Sequence, residues 1–154
     1  MELTSILMPS AVRIAGSVSS KKRLFLDLGE IAHGSFGLDQ ETTVEALLAR
    51  ENLGPTGVGN GVALPHARLD GLENVAGAFL RLEKPFKFGS ADRQPVDLVF
   101  ALFAPKNAGV DHLKALALVS RTMRDSSICA KLRANNDPAT LHAILTEAPT
   151  KRAA

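Results

Sequence analysis

The apolar and polar positions along the chain follow two different periods. Some stretches repeat apolar residues at helical spacing, and others form short, nearly continuous apolar runs that are typical of buried strands. The most apolar run is Pro95–Ala104, and its length together with its Val and Phe content predicts a strand that is buried on both faces. Further apolar runs predict strands at Ala11–Ser17, Val62–Leu64 and Val75–Leu82.

Helical spacing predicts five helices, and polar residues stand where the first turn of four of them needs a cap. The predicted helices are Lys21–Ala32, Gln40–Asn52, Asp111–Met123, Ser127–Ala134 and Ala139–Thr146. The predicted caps are Ser19 or Ser20, Asp39, Asp125 or Ser126, and Asp137. Gly34 is expected to end the first helix. One stripe of the third helix is expected to consist of Leu113, Leu116, Ala117 and Ser120.

Strands and helices mix along the chain without strict alternation, which predicts an α/β fold with a mixed sheet and helices on its faces. The 154 residues and the 45% content of hydrophobic residues fit one domain with a substantial core. No internal repeat or linker interrupts the chain. The prediction is therefore a single domain over residues 1–147, followed by a frayed tail at residues 148–154.

Charge and composition narrow the classes of partner. The net charge is +2 and the aromatic residues are seven Phe with no Trp and no Tyr, so no nucleic-acid surface is expected. The single cysteine excludes an intramolecular disulfide and fits a cytoplasmic setting. The N-terminus lacks a basic stretch before an apolar run, and no apolar run approaches the roughly 20 residues that span a bilayer. Neither a signal peptide nor membrane insertion is therefore expected.

The stretch Gly57–Arg68 places three alternating glycines before a short apolar segment that ends in Pro65 and His66. Val62 stands where a dinucleotide-binding fingerprint would need glycine, and no Lys-Ser or Lys-Thr pair follows, as a Walker A loop would need. By themselves the glycines therefore predict a tight turn between a helix and a strand. Pro65 stiffens the backbone before His66, which is expected to follow the strand end at the mouth of a loop.

His66 and His112 are placed where α/β proteins build sites, one at a strand end and the other at a predicted helix start. A helix N-terminus disfavours the charged form of His112 and favours nearby anions. Spacing alone nevertheless slightly favours two unrelated surface imidazoles. Arg50 closes the helix before the glycines, and it is either solvated or in reach of a bound phosphoryl group, for which guanidinium is well suited.

The sequence gives little support for other kinds of catalytic site. The chain has no His-Glu-x-x-His pair, no second cysteine and no tight carboxylate cluster, so no metal is expected, and no cofactor either. It also lacks the Gly-x-Ser-x-Gly elbow of serine hydrolases. Cys129, between Ile128 and Leu132 in a short predicted helix, is expected to be a small buried residue rather than a nucleophile.

Four segments of the sequence together resemble one known family. They are Leu-Ala-Arg-Glu at 48–51, Thr-Gly-Val-Gly-Asn-Gly-Val-Ala-Leu-Pro-His at 56–66, Gln-Pro-Val-Asp-Leu-Val-Phe-Ala-Leu at 94–102 and His-Leu-Lys-Ala-Leu-Ala-Leu-Val-Ser at 112–120. These segments are similar to the IIA family of the bacterial phosphotransferase system, of fructose/mannitol type, and most of all to its nitrogen-regulatory branch. The resemblance runs from about Leu3 to Leu145. It implies an α/β fold with a mixed, mainly parallel β-sheet of about five strands, flanked by helices on both faces.

The resemblance also implies roles for individual residues. His66 resembles the phosphoryl acceptor that forms a tele-phosphohistidine intermediate, and His112 resembles the histidine that stabilises the phosphorylated imidazole. Arg50 matches a family arginine at the rim of the site, where it contacts the phosphoryl group. The phosphate-cradle loop implied in this way consists of Thr56, Gly57, Gly59, Asn60 and Gly61. Ala67 and Lys114 depart from the family pattern, and these departures bear on the choice of partner.

The function that the resemblance implies is that of a phosphotransferase component acting mainly as a regulator. An HPr-like phosphocarrier of the nitrogen type (NPr) would phosphorylate His66, and the phosphorylation state would switch protein partners such as sensor kinases or ion transporters. Two alternatives stay open. One is a sugar-specific IIA component that passes phosphate to a IIB domain in sugar uptake. The other is a binding module that transfers no phosphate.

Overall fold

A computed structural model of the chain describes the backbone of residues 1–153 and the side chains of residues 1–147. The frayed tail predicted at residues 148–154 falls outside the fully described part of the chain. The strands are β1 (Leu7–Ala15), β2 (Gly57–Gly59), β3 (Val62–Ala63), β4 (His66–Leu69), β5 (Ala76–Phe86) and β6 (Val96–Pro105). The helices are α1 (Lys21–Phe36), α2 (Gln40–Leu53), α3 (Val110–Met123), α4 (Ser126–Arg133) and α5 (Pro138–Ala153), and a short 3-10 turn, Leu3–Ser5, precedes β1.

One mixed sheet joins the six strands of the described chain. The strand order is β1-β5-β6-β3-β2, and β4 pairs with β6 beyond the end of β3. Three pairings are parallel, namely β1 with β5, β3 with β6 and β4 with β6. The pairings of β5 with β6 and of β2 with β3 are antiparallel. The predicted fold class is confirmed, although the sheet has one strand more than expected and its longest ladder, between β5 and β6, is antiparallel.

Strand β6 lies at the centre of the core. Successive side chains of a strand point to opposite faces of the sheet, and all ten residues of β6 except Asp97 are buried, so both faces are covered. On one face Phe103 contacts Phe36 of α1, with ring centroids 6.4 Å apart. On the other face Phe100 packs against Phe79 of β5, with ring centroids 6.1 Å apart. The prediction of a strand buried on both faces is confirmed.

The helix starts follow the predicted caps, but the end of α1 does not follow the prediction. Side-chain oxygens accept backbone N–H groups of the first turn at Ser20, Asp39, Asp125 and Asp137. Helix α1 continues past Gly34 to Phe36 and ends at Gly37, whose φ is +70°. Gly37 adopts the left-handed conformation that glycine tolerates best, whereas Gly34 lies exposed within the helix.

The buried face of α3 is rotated relative to the predicted stripe. Leu113, which was expected to face the core, is 65% exposed, and His112 next to it is buried. The buried residues of α3 are His112, Ala115, Leu118, Val119, Thr122 and Met123. Two apolar stripes compete on this helix, and packing against β6 selects the one that carries the histidine.

The sequence did not predict β4, which begins at His66. This strand has four residues and pairs in parallel with the end of β6, where His66 lies opposite Leu102. A strand this short shows no clear alternation, and its partner lies more than thirty residues further along the chain. His66 therefore lies at the start of a strand rather than at the mouth of a loop.

Two glycine substitutions test where α1 ends. Gly34→Ala is expected to raise the free energy of unfolding by about 0.5–1 kcal/mol, because alanine is the better helix former. Nothing lies within 4 Å of the position that its Cβ would take. Gly37→Ala is expected to lower the free energy of unfolding by about 1 kcal/mol, because a side chain strains the left-handed conformation. Urea denaturation followed by circular dichroism measures both values, and a helix that ended at Gly34 would reverse their order.

Candidate functional site

His66 is held by a hydrogen bond to the backbone immediately before it. Its Nδ1 lies 2.9 Å from the carbonyl oxygen of Leu64. A carbonyl oxygen can only accept, so Nδ1 carries the proton and donates it. In the neutral ring the lone pair is then on Nε2. The ring is half-buried, so Nε2 belongs to a side chain that is fixed in orientation and still accessible.

A cavity of about 220 Å³ lies against this ring. Its walls come from the end of α2, the entrance to β2, the start of β4 and one side of α3. The lining residues are Arg50, Pro55, Thr56, Val58, Leu64, His66, Leu116 and Ser120. The fold thus places apolar side chains, one guanidinium and two hydroxyls around one imidazole, which is a suitable lining for a small charged group.

His112 approaches His66 from the first turn of α3. The two ring centroids are 5.7 Å apart and the ring planes meet at 67°. His112 is only 6% exposed, and neither of its ring nitrogens has a hydrogen-bond partner among the described residues. Burial lowers the pKa of His112, and the nearby His66 and Arg68 lower it further. A neutral imidazole with uncommitted hydrogen-bonding capacity therefore lies beside His66. The two histidines are not unrelated surface residues.

Arg50 reaches the same cavity from the last turn of α2. Its Nη1 donates a hydrogen bond to the carbonyl oxygen of Gly54 at 3.0 Å, which satisfies one backbone group at the end of that helix. The guanidinium is half-buried and lines the cavity beside His66. Arg50 therefore lines the cavity, and its contact with a phosphoryl group stays a prediction of the resemblance.

Thr56 is tied to a residue that the sequence reasoning did not single out. Its backbone N–H donates to Oε2 of Glu51 at 3.1 Å, and its hydroxyl donates to Oε1 at 2.5 Å. Lys21 donates to the same carboxylate, at 2.9 Å. Glu51 directly follows Arg50 in the sequence, but the burial of a carboxylate depends on tertiary packing and leaves no periodic signal.

The alternating glycines form a β-hairpin. Strand β2 pairs with β3, and the turn between them has positive φ at both Asn60 (57°) and Gly61 (80°), which favours these residue types. Gly57 has no room for a side chain, because an added Cβ would collide with Ser90. The glycine spacing thus has a geometric cause in the hairpin. A tight turn was predicted between a helix and a strand, and the structure places it between two strands.

The tip of this hairpin is held by Asp92 and Arg133. Asn60 donates its N–H to Asp92 at 3.0 Å, and its carbonyl oxygen accepts from Arg133 at 2.8 Å. Asn60 and Gly61 line a different cavity, of about 360 Å³, together with Arg133 and other residues. Among the described residues that line the His66 cavity, Thr56 is the one member of the expected phosphate-cradle loop.

The described side chains, residues 1–147, contain no group of three or more His, Cys, Asp or Glu residues arranged to hold a metal ion. In the same described part of the chain, no helix combines the length and the apolar character that crossing a membrane requires.

Comparison with known proteins identifies the family. The profile described as "Phosphoenolpyruvate-dependent sugar phosphotransferase system, EIIA 2" matches residues 5–148, so the chain belongs to this family. The chain is 45% identical to a nitrogen regulatory protein of Bradyrhizobium diazoefficiens over 153 residues, which cover 99% of this chain and 100% of that protein. It is 40% identical to a nitrogen regulatory protein of Escherichia coli K12 over 149 residues, or 96% of this chain and 91% of that protein.

A solved structure that resembles this chain is also a nitrogen regulatory protein. The crystal structure of the nitrogen regulatory protein IIA-Ntr from Neisseria meningitidis superposes with a TM-score of 0.86 at 38% identity, covering 94% of this chain and 99% of that one. The resemblance to the IIA family and to its nitrogen-regulatory branch is confirmed. The relatives support a regulatory role within the phosphotransferase system, whose IIA proteins act with phosphocarrier partners.

The lowered pKa of His112 predicts a specific dependence of stability on pH. In the unfolded chain this imidazole returns to a pKa of about 6.5. Its contribution is therefore present above about pH 6.5 and is lost as the pH falls from there through the lower folded pKa, because only the unfolded chain takes up the proton. Wild type is expected to lose more free energy of unfolding than His112→Gln between about pH 7.5 and pH 5.5. Equal losses in urea titrations of the two proteins would show that His112 is not held neutral.

Proposed function

We propose that the chain is a phosphoryl-accepting regulatory IIA protein, in which Nε2 of His66 takes the phosphoryl group from a phosphohistidine on an HPr-like carrier of the nitrogen type. The observation that carries this proposal is the hydrogen bond that Nδ1 of His66 donates to Leu64 at 2.9 Å. It keeps the proton on Nδ1 and the lone pair on Nε2. A neutral imidazole is already nucleophilic near neutral pH, so the transfer needs no separate base.

The proposed step is a single displacement at phosphorus. A bond forms between phosphorus and Nε2 of His66, while the bond between phosphorus and one imidazole nitrogen of the carrier breaks and leaves its electron pair on that nitrogen. The carrier's ring carries a proton on its other nitrogen, so it leaves as a neutral imidazole. The proton on Nδ1 of His66 stays where it is, bonded to Leu64. Catalysis then consists of alignment and of stabilising the transferred charge, as is general for phosphoryl transfer.

Two side chains beside His66 suit the transferred charge. A phosphoryl group brings a charge of about −1.5 to −2, and the guanidinium of Arg50 lines the cavity that would receive it. His112 has ring nitrogens without a partner among the described residues, and a phosphoryl oxygen would supply an acceptor. The new negative charge would also raise the pKa of His112, so that this ring gains a proton and binds the phosphoryl group more strongly.

The surface around His66 supports a regulatory output through protein contacts. Val58, which lines the His66 cavity, is an exposed apolar side chain, and so are Val110 and Leu113, which lie within two residues of His112 in the sequence. Arg68 and Lys114 are exposed positive side chains, each two residues beyond one of the two histidines. A phosphoryl group on His66 would change the charge of the nearby surface without moving the fold. The partners that we propose to be switched in this way are proteins such as sensor kinases or ion transporters.

Phosphorylation of the purified protein tests the acceptor. With phosphoenolpyruvate, enzyme I and an HPr-type carrier, wild type is expected to gain one acid-labile phosphate per chain, and His66→Ala none, because His66 is the proposed acceptor. His33→Ala is the matched control, because His33 is an exposed histidine on α1 that lies outside the cavity, and it should equal wild type. Mass spectrometry with and without acid treatment measures the phosphate.

The same assay separates the alternatives. His112→Ala is expected to slow the transfer at least about tenfold while leaving His66 reactive, because it removes a charge-stabilising group rather than the nucleophile. If wild type gains no phosphate, the chain is a binding module. If His66→Ala gains as much as wild type, another residue is the acceptor. Rapid onward transfer to a sugar-specific IIB domain would favour the alternative role in sugar uptake.

A further inference from the structure

We propose that Glu51 is a positioning residue for His66, and that it acts through Thr56 and Leu64 without touching the phosphoryl group. This inference rests on the proposed function, because it concerns which nitrogen of His66 is presented for the transfer. It assigns a role to a buried carboxylate that the reaction itself does not use.

The carboxylate of Glu51 is buried and fully engaged. Its side chain is 5% exposed, and it accepts the backbone N–H and the hydroxyl of Thr56 at 3.1 and 2.5 Å. Lys21 donates to it at 2.9 Å and compensates the buried charge. A carboxylate in such a place is costly unless it is paired and hydrogen-bonded in this way. The arrangement makes Thr56 a firmly fixed point at the entrance to the hairpin.

From Thr56 a chain of hydrogen bonds leads directly to the acceptor ring. The carbonyl oxygen of Thr56 accepts the backbone N–H of Leu64 at 2.9 Å. The carbonyl oxygen of Leu64 in turn accepts Nδ1–H of His66 at 2.9 Å. Leu64 is thus held on both sides, by Thr56 on its N–H and by His66 on its carbonyl. The position of the Leu64 carbonyl, which selects the protonated nitrogen of His66, depends on where Glu51 holds Thr56.

The contacts of Glu51 are not needed to end helix α2. The N–H of Gly54 bonds the backbone carbonyl of Glu51 at 3.1 Å, and Arg50 donates to the carbonyl of Gly54 at 3.0 Å. These bonds close the last turn without the carboxylate. The Glu51 side chain instead connects α2 to the segment that carries His66. It contacts residues that hold His66 in place, without contacting His66 itself, as residues that orient a reacting group commonly do.

Loss of the hydrogen bonds between Glu51 and Thr56 is predicted to change the tautomer of His66. If the Leu64 carbonyl moves, Nδ1 loses its acceptor, and part of the population places its proton on Nε2. That tautomer has no lone pair on Nε2 and cannot take a phosphoryl group there. Loss of a supporting hydrogen bond of this kind is expected to slow phosphoryl transfer about 10-fold.

Four variants test this idea. Thr56→Val removes the hydroxyl at nearly constant volume, Thr56→Ser keeps it, and Glu51→Gln removes the charge at constant size. Glu45→Gln is the matched control, because Glu45 is an exposed glutamate on the same helix. Long-range hydrogen–nitrogen NMR spectra of the unphosphorylated proteins, at about pH 8 where imidazole is neutral, report the tautomer of His66. The initial rate of phosphorylation from the HPr-type carrier is measured in parallel.

Wild type and Glu45→Gln are expected to hold the proton on Nδ1 and to react at the same rate. Thr56→Ser, which keeps the hydroxyl, is expected to retain the wild-type tautomer. Thr56→Val and Glu51→Gln are expected to show a mixture of tautomers and a slower transfer per folded molecule. Circular dichroism measures the folded fraction by which each rate is divided. If Thr56→Val does not fold, Glu51→Gln carries the same comparison. An unchanged tautomer and an unchanged rate in the folded variants overturn the inference, and lower stability alone does not support it. A wild type that takes no phosphate refutes the proposed function, while the tautomer spectra still decide whether Glu51 positions His66.

Discussion

The hydrogen bond between Nδ1 of His66 and the carbonyl of Leu64 is the contact on which the rest of the site depends. An imidazole has two nitrogens, and in the neutral ring only one of them has a free lone pair. The backbone acceptor, 2.9 Å from Nδ1, settles which one it is. The bond joins two residues that are separated only by Pro65, so the local backbone must be held accurately for it to form at all.

Three parts of the fold hold His66 and its neighbours in position. Strand β6, buried on both faces, pairs with β4 and places His66 opposite Leu102. Helix α3 packs on the same strand and presents His112 rather than Leu113 to the interior. The end of α2 contributes Arg50 to the cavity and the Glu51 carboxylate to the hairpin entrance. In the proposed reaction, the ring that accepts the phosphoryl group is oriented before the carrier arrives, which reduces the cost of alignment.

The sequence predicted what local periodicity can encode. The core strand Pro95–Ala104, the helix starts and the position of His112 in the first turn of α3 were all readable, because caps and apolar runs act within a few residues. The resemblance to a family supplied the pairing of His66 with His112 and with Arg50. It also implied a glycine cradle for phosphate, whereas the tip of the hairpin, Asn60 and Gly61, lines another cavity.

What could not be predicted depends on contacts between distant parts of the chain. Strand β4 exists because β6 offers a partner, and its four residues carry no periodic signal of their own. The burial of Glu51 follows from the approach of Thr56 and Lys21, which lie on different elements. The choice between the two apolar stripes of α3 is likewise made by tertiary packing, which routinely overrides local preference.

The most direct test of the central claim is to locate phosphorus on the imidazole of wild-type protein phosphorylated by the HPr-type carrier. Phosphorus and long-range hydrogen–nitrogen NMR distinguish the two ring nitrogens of His66. The account predicts phosphorus on Nε2, with the proton retained on Nδ1 and still bonded to Leu64. Phosphorus on Nδ1 of His66 would contradict it, because that nitrogen could react only after the hydrogen bond at the base of the site had been broken.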